Sequence, residues 1–182
     1  MDRPRVSHLL LLAVVAAAAL APGLATIPLV ETTEGRYASI AAAMVKTGDW
    51  LVPRYNGIPH LEKPPLAYWL AAASIRLFGE SELAVRLPCL LAGVGLVLAT
   101  AWLGAAMFGR RAGFVGAALL VGCLHFAGIE RVLATDPFLA LAAAVGACAF
   151  WEGYRAERGS PRERRAWFVF QIALCEIGRA HV

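Results

Sequence analysis

Charge is what this sequence has least of. Charged side chains make up 16% of its 182 residues and apolar ones 59%, where an ordinary soluble domain carries about 25% charge. A water-facing fold of this size cannot enclose so much apolar surface, so lipid is the expected solvent. Lysine is nearly missing: Lys46 and Lys63 are the only two, and arginine carries the rest of the positive charge. The net charge of +4 does not form the basic face that nucleic acid requires. The arginines gather between apolar segments, which indicates membrane topology and excludes nucleic acid as a partner. No C-x-x-C pair occurs. Cys89, Cys123, Cys148 and Cys175 each sit in or beside an apolar run and read as small hydrophobes, not as disulfide partners or metal ligands. Walker, Rossmann and zinc signatures are also missing.

What is present is a series of apolar segments. They run from Leu9 to about Val30, from about Leu87 to Phe108, from about Gly113 to Ile129 and from Asp136 to about Phe150, and a fifth begins near Trp167. A helical span takes about 20 residues. The first segment also admits a second reading, as a cleaved signal peptide, because its strictly apolar core Leu9–Leu20 is short and Ala21-Pro22-Gly23-Leu24-Ala25 offers small residues for cleavage. Either way residue 31 onward lies outside the cytoplasm. Charge tests this layout independently. The N-terminus, the 109–112 loop and the 152–166 loop are rich in arginine and fall on one side, as cytoplasmic loops should. The 31–82 loop and the 130–135 loop fall on the other side with mixed charge. The expected localisation is therefore multi-pass in a bacterial cytoplasmic membrane, with the N-terminus inside. The chain ends Glu176-Ile177-Gly178-Arg179-Ala180-His181-Val182, which reads as the in-frame translation of a common sequencing adapter. Residues 176–182 are set aside as an artefact, and the domain reading covers 1–175.

The 31–82 loop is too polar to cross a bilayer. Within it Tyr37, Ile40, Ala41, Met44 and Val45 recur at the spacing of one helical face, and Gly48 provides a stop. This helix either lies at the membrane interface or packs on a small soluble lobe. Prolines and the Asn56-Gly57 pair keep residues 53–65 extended and turning. A second amphipathic helix follows from Leu66 to Phe78, with Tyr68 and Trp69 suited to the headgroup level. The expected fold is all-α: a polytopic transmembrane helical bundle with a large extracytoplasmic first loop containing juxtamembrane amphipathic helices.

The candidate acids and cations gather on that outer face. Glu31, Glu34 and Arg36 open the long loop, Glu62 and Lys63 lie in its extended part, and Asp136 stands at the outer end of the fourth span. An enzyme whose substrate has a lipid tail and a polar head needs such a placement. A transporter, the alternative reading together with a non-catalytic membrane protein, would place charge near the midplane and break its helices there. The same residues admit structural roles. Asp136 before Pro137 suits a helix N-cap, Glu31 and Glu34 suit a first helical turn, Lys63 suits a solvated loop, and Arg36 suits an ion pair with either glutamate.

The strings Glu31-Thr32-Thr33-Glu34-Gly35-Arg36-Tyr37-Ala38, Gly48-Asp49-Trp50-Leu51-Val52-Pro53, Asn56-Gly57, Glu62-Lys63-Pro64-Pro65-Leu66-Ala67-Tyr68-Trp69, Leu77-Phe78-Gly79, Val85-Arg86-Leu87-Pro88 and Asp136-Pro137-Phe138 together resemble the N-terminal region of bacterial GT-C glycosyltransferases. The branch they are most similar to is that of lipid A aminoarabinose transferases, akin to protein O-mannosyltransferases. The resemblance covers about Leu9 to Phe150. It implies a membrane glycosyltransferase that takes a sugar from a polyprenyl-phosphate carrier and passes it to a lipid, glycan or protein acceptor on the outer side. It implies an essential acid early in the first loop. Where the aminoarabinose branch has an aspartate next to the glutamate matching Glu34, this chain has Thr33, which points to Glu31 ahead of Glu34. Asp136 matches a second family acid, Lys63 a lysine that contacts the carrier phosphate, and Glu62 a ligand for a divalent metal ion. Arg36 is the other cation near the acids.

Overall fold

The computed structural model describes residues 4–29 and 32–179. Their order is α1 (Val6–Leu20), α2 (Thr32–Thr47), a two-residue hairpin of β1 (Arg54–Tyr55) and β2 (Ile58–Pro59), α3 (Leu66–Phe78), α4 (Glu82–Phe108), α5 (Arg110–Val121), α6 (Leu124–Ile129), α7 (Asp136–Arg155) and α8 (Pro161–Arg179). The all-α expectation holds in this coarse form. Helices α4 and α7 are long and apolar enough to cross a membrane, and α1 and α3 are shorter apolar helices.

Three expected spans differ in detail. Helix α1 stops at Leu20, after 15 residues or about 22 Å, and the chain turns through Gly23 at φ 87°. Over its described residues, the Leu9–Val30 segment is thus a helix followed by a turn. The Gly113–Ile129 segment is broken into α5 and α6 at Gly122 and Cys123, and only Gly109 separates α4 from α5. Helix α8 starts at Pro161 instead of near Trp167. Ser160 Oγ accepts the Glu163 N–H at 3.1 Å, and the Glu163 carboxylate accepts the Gly159 N–H at 2.6 Å. That is a serine N-cap with a capping-box-like glutamate, shifted by one residue to the Gly159 N–H, and proline at the first helical position.

The lobe between α1 and α4 follows the sequence closely. Tyr37, Ile40, Ala41 and Met44 of α2 are buried against Ala67, Tyr68, Ala71, Ala72 and Ile75 of α3, with Leu133 and Phe138 closing the cluster. The α2 stripe therefore packs on protein. Gly48, at φ 74°, ends α2 with its N–H on Met44 O, a conformation that side-chain-bearing residues rarely adopt. Asn56 and Gly57, at φ 51° and 82°, form the tight turn that joins β1 to β2. Trp69 Nε1 donates to Trp50 O at 2.6 Å, fastening the stretch after α2 to α3.

A second cluster unites Leu12, Ala16 and Leu20 of α1 with Val97 and Ala101 of α4, Ala117 of α5 and Phe126 of α6. The opposite face of α1 exposes Leu10, Leu11, Val14 and Val15. That is a lipid-facing pattern, one a water-facing helix avoids. In lipid, helix association depends on close packing, and the α4/α5 contact is close: a Cβ on Gly104 would lie 2.8 Å from Gly113 Cα. At one end of the bundle a cleft is lined by Arg5, His8, Gly109, Arg110 and Arg111, so the arginine-rich N-terminus and the arginine pair share that end.

Candidate active site

The other end of the bundle holds the polar residues. The turn after α1, the first turn of α2, the start of α4 and the 130–135 segment meet there around one ion pair. Arg86, on the second turn of α4, donates from Nε to Glu34 Oε1 at 2.7 Å and from Nη2 to Glu34 Oε2 at 2.8 Å. Nη1 donates to Leu24 O at 3.0 Å and Ile27 O at 2.6 Å, and Nη2 also donates to Pro28 O at 3.3 Å. Glu34 Oε1 further accepts the Leu133 N–H at 3.1 Å. Glu34 is 2% exposed and Arg86 4%. The sequence suggests Glu34 as a free acid or as a partner of Arg36. The structure instead gives it to Arg86, with both oxygens engaged, because the fold brings the first turn of α2 to the start of α4. Arg86 itself carried no role in the sequence reading beyond its place in a family-like string.

Beside this pair lies an aromatic wall. The Tyr37 and Tyr68 rings meet edge to face at 5.2 Å, and His60 lies 6.2 Å from Tyr68. Arg36, Asp136 and Glu62 are all near enough to Tyr37 to act on its ionisation. Residues a hundred positions apart in sequence are thereby brought to one place. Burial raises the Tyr37 phenol above its ordinary value, with Arg36 opposing. Burial also pushes Tyr68 well above the usual phenol range, so both remain neutral hydroxyls. Among the described residues His60 Nε2 and the Tyr68 hydroxyl make no hydrogen bond of ordinary geometry, but the Tyr37 phenol lies close enough to the Tyr68 hydroxyl to interact with it.

Asp136 is exposed at the first turn of α7. Among the described residues its carboxylate makes no cap hydrogen bond, and Thr135 occupies the cap position instead. The N-cap reading of Asp136 is thus corrected, while Pro137 does take its expected place at the helix start. Lys63 and Glu62 are exposed, and Arg36 is half-buried. Glu31 lies outside the described residues. Among the described residues no three His, Cys, Asp or Glu side chains converge as a metal site.

The 130–135 segment, read from sequence as a polar loop, is pinned into the bundle. Glu130 is 2% exposed, and its Oε2 sits 2.9 Å from where a Gly93 Cβ would stand, beside Leu20. Burial pushes this carboxyl up to about 7. Arg131 Nη2 donates to Ala19 O at 2.5 Å.

With this geometry in hand, the comparisons are specific. The family described as dolichyl-phosphate-mannose-protein mannosyltransferase matches residues 62–178. The chain belongs to this family. It is 33% identical over 149 residues to the undecaprenyl phosphate-alpha-4-amino-4-deoxy-L-arabinose arabinosyl transferase 2 of Sodalis glossinidius, covering 81% of this chain and 27% of that protein. It is 30% identical over 149 residues to the corresponding transferase of Edwardsiella ictaluri, with the same coverage. The crystal structure of ArnT from Cupriavidus metallidurans in the apo state superposes with a TM-score of 0.82 at 25% identity, over 96% of this chain and 32% of that one. The same protein bound to undecaprenyl phosphate gives 0.79 at 29% identity, with the same coverage. The chain thus spans about a quarter of the length of the curated relatives.

Proposed function

We propose that the protein to which this chain belongs is an integral membrane glycosyltransferase of the cytoplasmic membrane. It moves a sugar from a polyprenyl-phosphate carrier to an acceptor on the outer side, and a lipid is the favoured acceptor class. The observation that carries this reading is that Arg36, Glu62 and Asp136, from two separate stretches of chain, are each near enough to Tyr37 to act on its ionisation, at the end of the bundle opposite the arginine-rich one. The likeness to transferases named for an undecaprenyl phosphate sugar, and to a structure holding undecaprenyl phosphate, supports the donor class.

The chemistry follows from charge. Breaking the sugar–phosphate bond leaves a polyprenyl phosphate anion, and a cation fixed where that charge develops contributes roughly 3 kcal/mol. Lys63 and Arg36 are the cations proposed for this role. The exposed Asp136 carboxylate takes the proton of the acceptor hydroxyl as the new bond forms, a contribution of about 10²–10⁴-fold. Glu31, the acid that the resemblance favours early in the first loop, shares this acid–base role with Asp136 in the proposal. Direct displacement inverts the anomeric centre. Glu62 is retained as a candidate metal ligand whose partners lie outside this chain, and no step is routed through a metal.

The test is transfer of a radiolabelled sugar from its polyprenyl phosphate by the full-length protein in membranes. Asp136→Ala is expected to lower kcat by about 100-fold or more. Lys63→Ala is expected to raise KM for the donor and to lower kcat. Normal transfer by Asp136→Ala would overturn the assignment.

A further inference from the structure

We infer that Glu34 and Arg86 form a positioning hub: together they fix the segment that carries Asp136 against the turn after α1 and the first turn of α2, and so set where the Asp136 carboxylate stands. The role of Asp136 is taken from the function proposed above; the hub itself is read from contacts alone.

Hydrogen-bond capacity makes the case. A guanidinium has five N–H donors, and Arg86 uses all five: two on Glu34 and three on the carbonyls of Leu24, Ile27 and Pro28. Glu34 adds the Leu133 amide. One buried pair therefore ties four separate stretches of chain. A pair kept for charge alone would need neither the three carbonyls nor the amide. Leu133 is fully buried, and Arg131, two residues earlier, is held on Ala19 O. On the far side Pro137 and Phe138 are buried too. Asp136 is the exposed residue between these anchors, and its carboxylate accepts no hydrogen bond among the described residues. Nothing described grips the carboxylate directly, so its position is inherited from the anchors, and the Leu133 amide on Glu34 is the one nearest upstream. With both oxygens committed, Glu34 is poorly placed to accept a substrate proton.

The experiment uses the full-length protein in lipid nanodiscs with two readouts. The first is hydrogen exchange, which needs no activity. Glu34→Gln and Arg86→Lys are each expected to speed exchange in peptides covering 130–136 by about tenfold or more, while peptides from α7 beyond its first turn stay unchanged. Unchanged exchange in 130–136 overturns the hub. The second readout is sugar transfer. A misplacement of ~1 Å costs ~10²-fold, so Glu34→Gln is expected to lower kcat by about that factor with donor KM nearly unchanged. In an Asp136→Ala background it should add less than about threefold, because a residue acting through Asp136 has nothing left to position. Effects that multiply would make Glu34 an independent acid and refute the proposal. The exchanged pair, Glu34→Arg with Arg86→Glu, restores charge but leaves the Leu133 amide facing a cation and three carbonyls facing a carboxylate. Recovery of activity by that pair would refute the proposal as well. If Glu34→Gln fails to accumulate, Glu34→Asp, which keeps the charge and shortens the reach, is read by the same two measurements. Normal transfer by Asp136→Ala with faster exchange in Glu34→Gln would overturn the catalytic reading and leave the clamp standing.

Discussion

Substituting Gly113 by alanine sets two effects of opposite sign against each other. In a helix interior alanine is favoured over glycine by about 1 kcal/mol, so on propensity alone the variant should gain stability. The packing says otherwise. A Cβ at Gly113 would stand 3.0 Å from Ala105 Cα, and closer still to Ala105 N and Ala101 O. These are backbone atoms of α4, and they cannot swing aside as the tip of a side chain can. Relieving the clash requires α5 to move off α4 by about 1 Å, which forfeits a quarter to a half of each dispersion contact along the seam. Overpacking of this kind costs about 1–3 kcal/mol, and in lipid no hydrophobic gain offsets the separation. Set against the propensity gain of about 1 kcal/mol, a net loss of about 1 kcal/mol is expected. The assay is the apparent melting temperature of the full-length protein in one detergent, followed by light scattering at a fixed scan rate, since unfolding of such proteins is often irreversible. Gly113→Ala should melt several degrees below the parent. A variant that melts at or above it would show that α4 and α5 do not touch backbone to backbone.

Two further outcomes follow from single contacts. The Glu130 carboxyl is raised from 4.5 to about 7, so its contribution to stability is full below pH 4.5 and is lost as the pH rises through 7. At 1.36 kcal/mol per unit the change is on the order of 3 kcal/mol; melting followed from pH 4.5 to 8 should show it in the parent and not in Glu130→Gln, and parallel curves would refute it. Trp69→Phe removes the hydrogen bond to Trp50 O at a cost of about 1 kcal/mol, and limited proteolysis should cut residues 48–65 faster; an unchanged cleavage rate would count against that contact.

The sequence made periodic and punctuated features legible and left those built by tertiary contact hidden. The α2 stripe, the Gly48 stop and helix α3 from Leu66 to Phe78 emerge as read, because apolar spacing and a left-handed glycine are local signals. The Ser160-Pro161-Arg162-Glu163 helix start is equally local, but the apolar run that begins at Trp167 is the stronger hydropathy signal. Other features had no local signal. The break at Gly122 and the end of α1 at Leu20 interrupt apolar runs that hydropathy treats as continuous. Glu130 looks like a loop carboxylate until Gly93 supplies the notch that holds it. Arg86 looks like one more charge near a membrane boundary, since its partners lie 52 and 62 positions away. The gathering of Arg36, Glu62 and Asp136 was expected from topology: once two loops are assigned to one side, their charges share it. Which of them face each other required the fold.

That difference bears on why so costly a pair as Glu34 and Arg86 is buried at all. Removing two charges from water costs several kcal/mol per ion, and a well-packed apolar pair of the same volume is often as stable or more so. Stability is therefore a weak explanation for it. Apolar side chains would fill the space between α2 and α4, but they would not discriminate among the several ways in which a short segment such as 130–135 can lie across them. Five directed N–H donors and two committed carboxylate oxygens do discriminate, because each alternative placement leaves a buried polar group unmatched at about 1–3 kcal/mol. For the proposed site, in which Asp136 is exposed and otherwise unheld, that penalty on misplacement matters more than the net strength of the pair. It also explains why lysine, with its compact charge and three donors, is not an equivalent for Arg86.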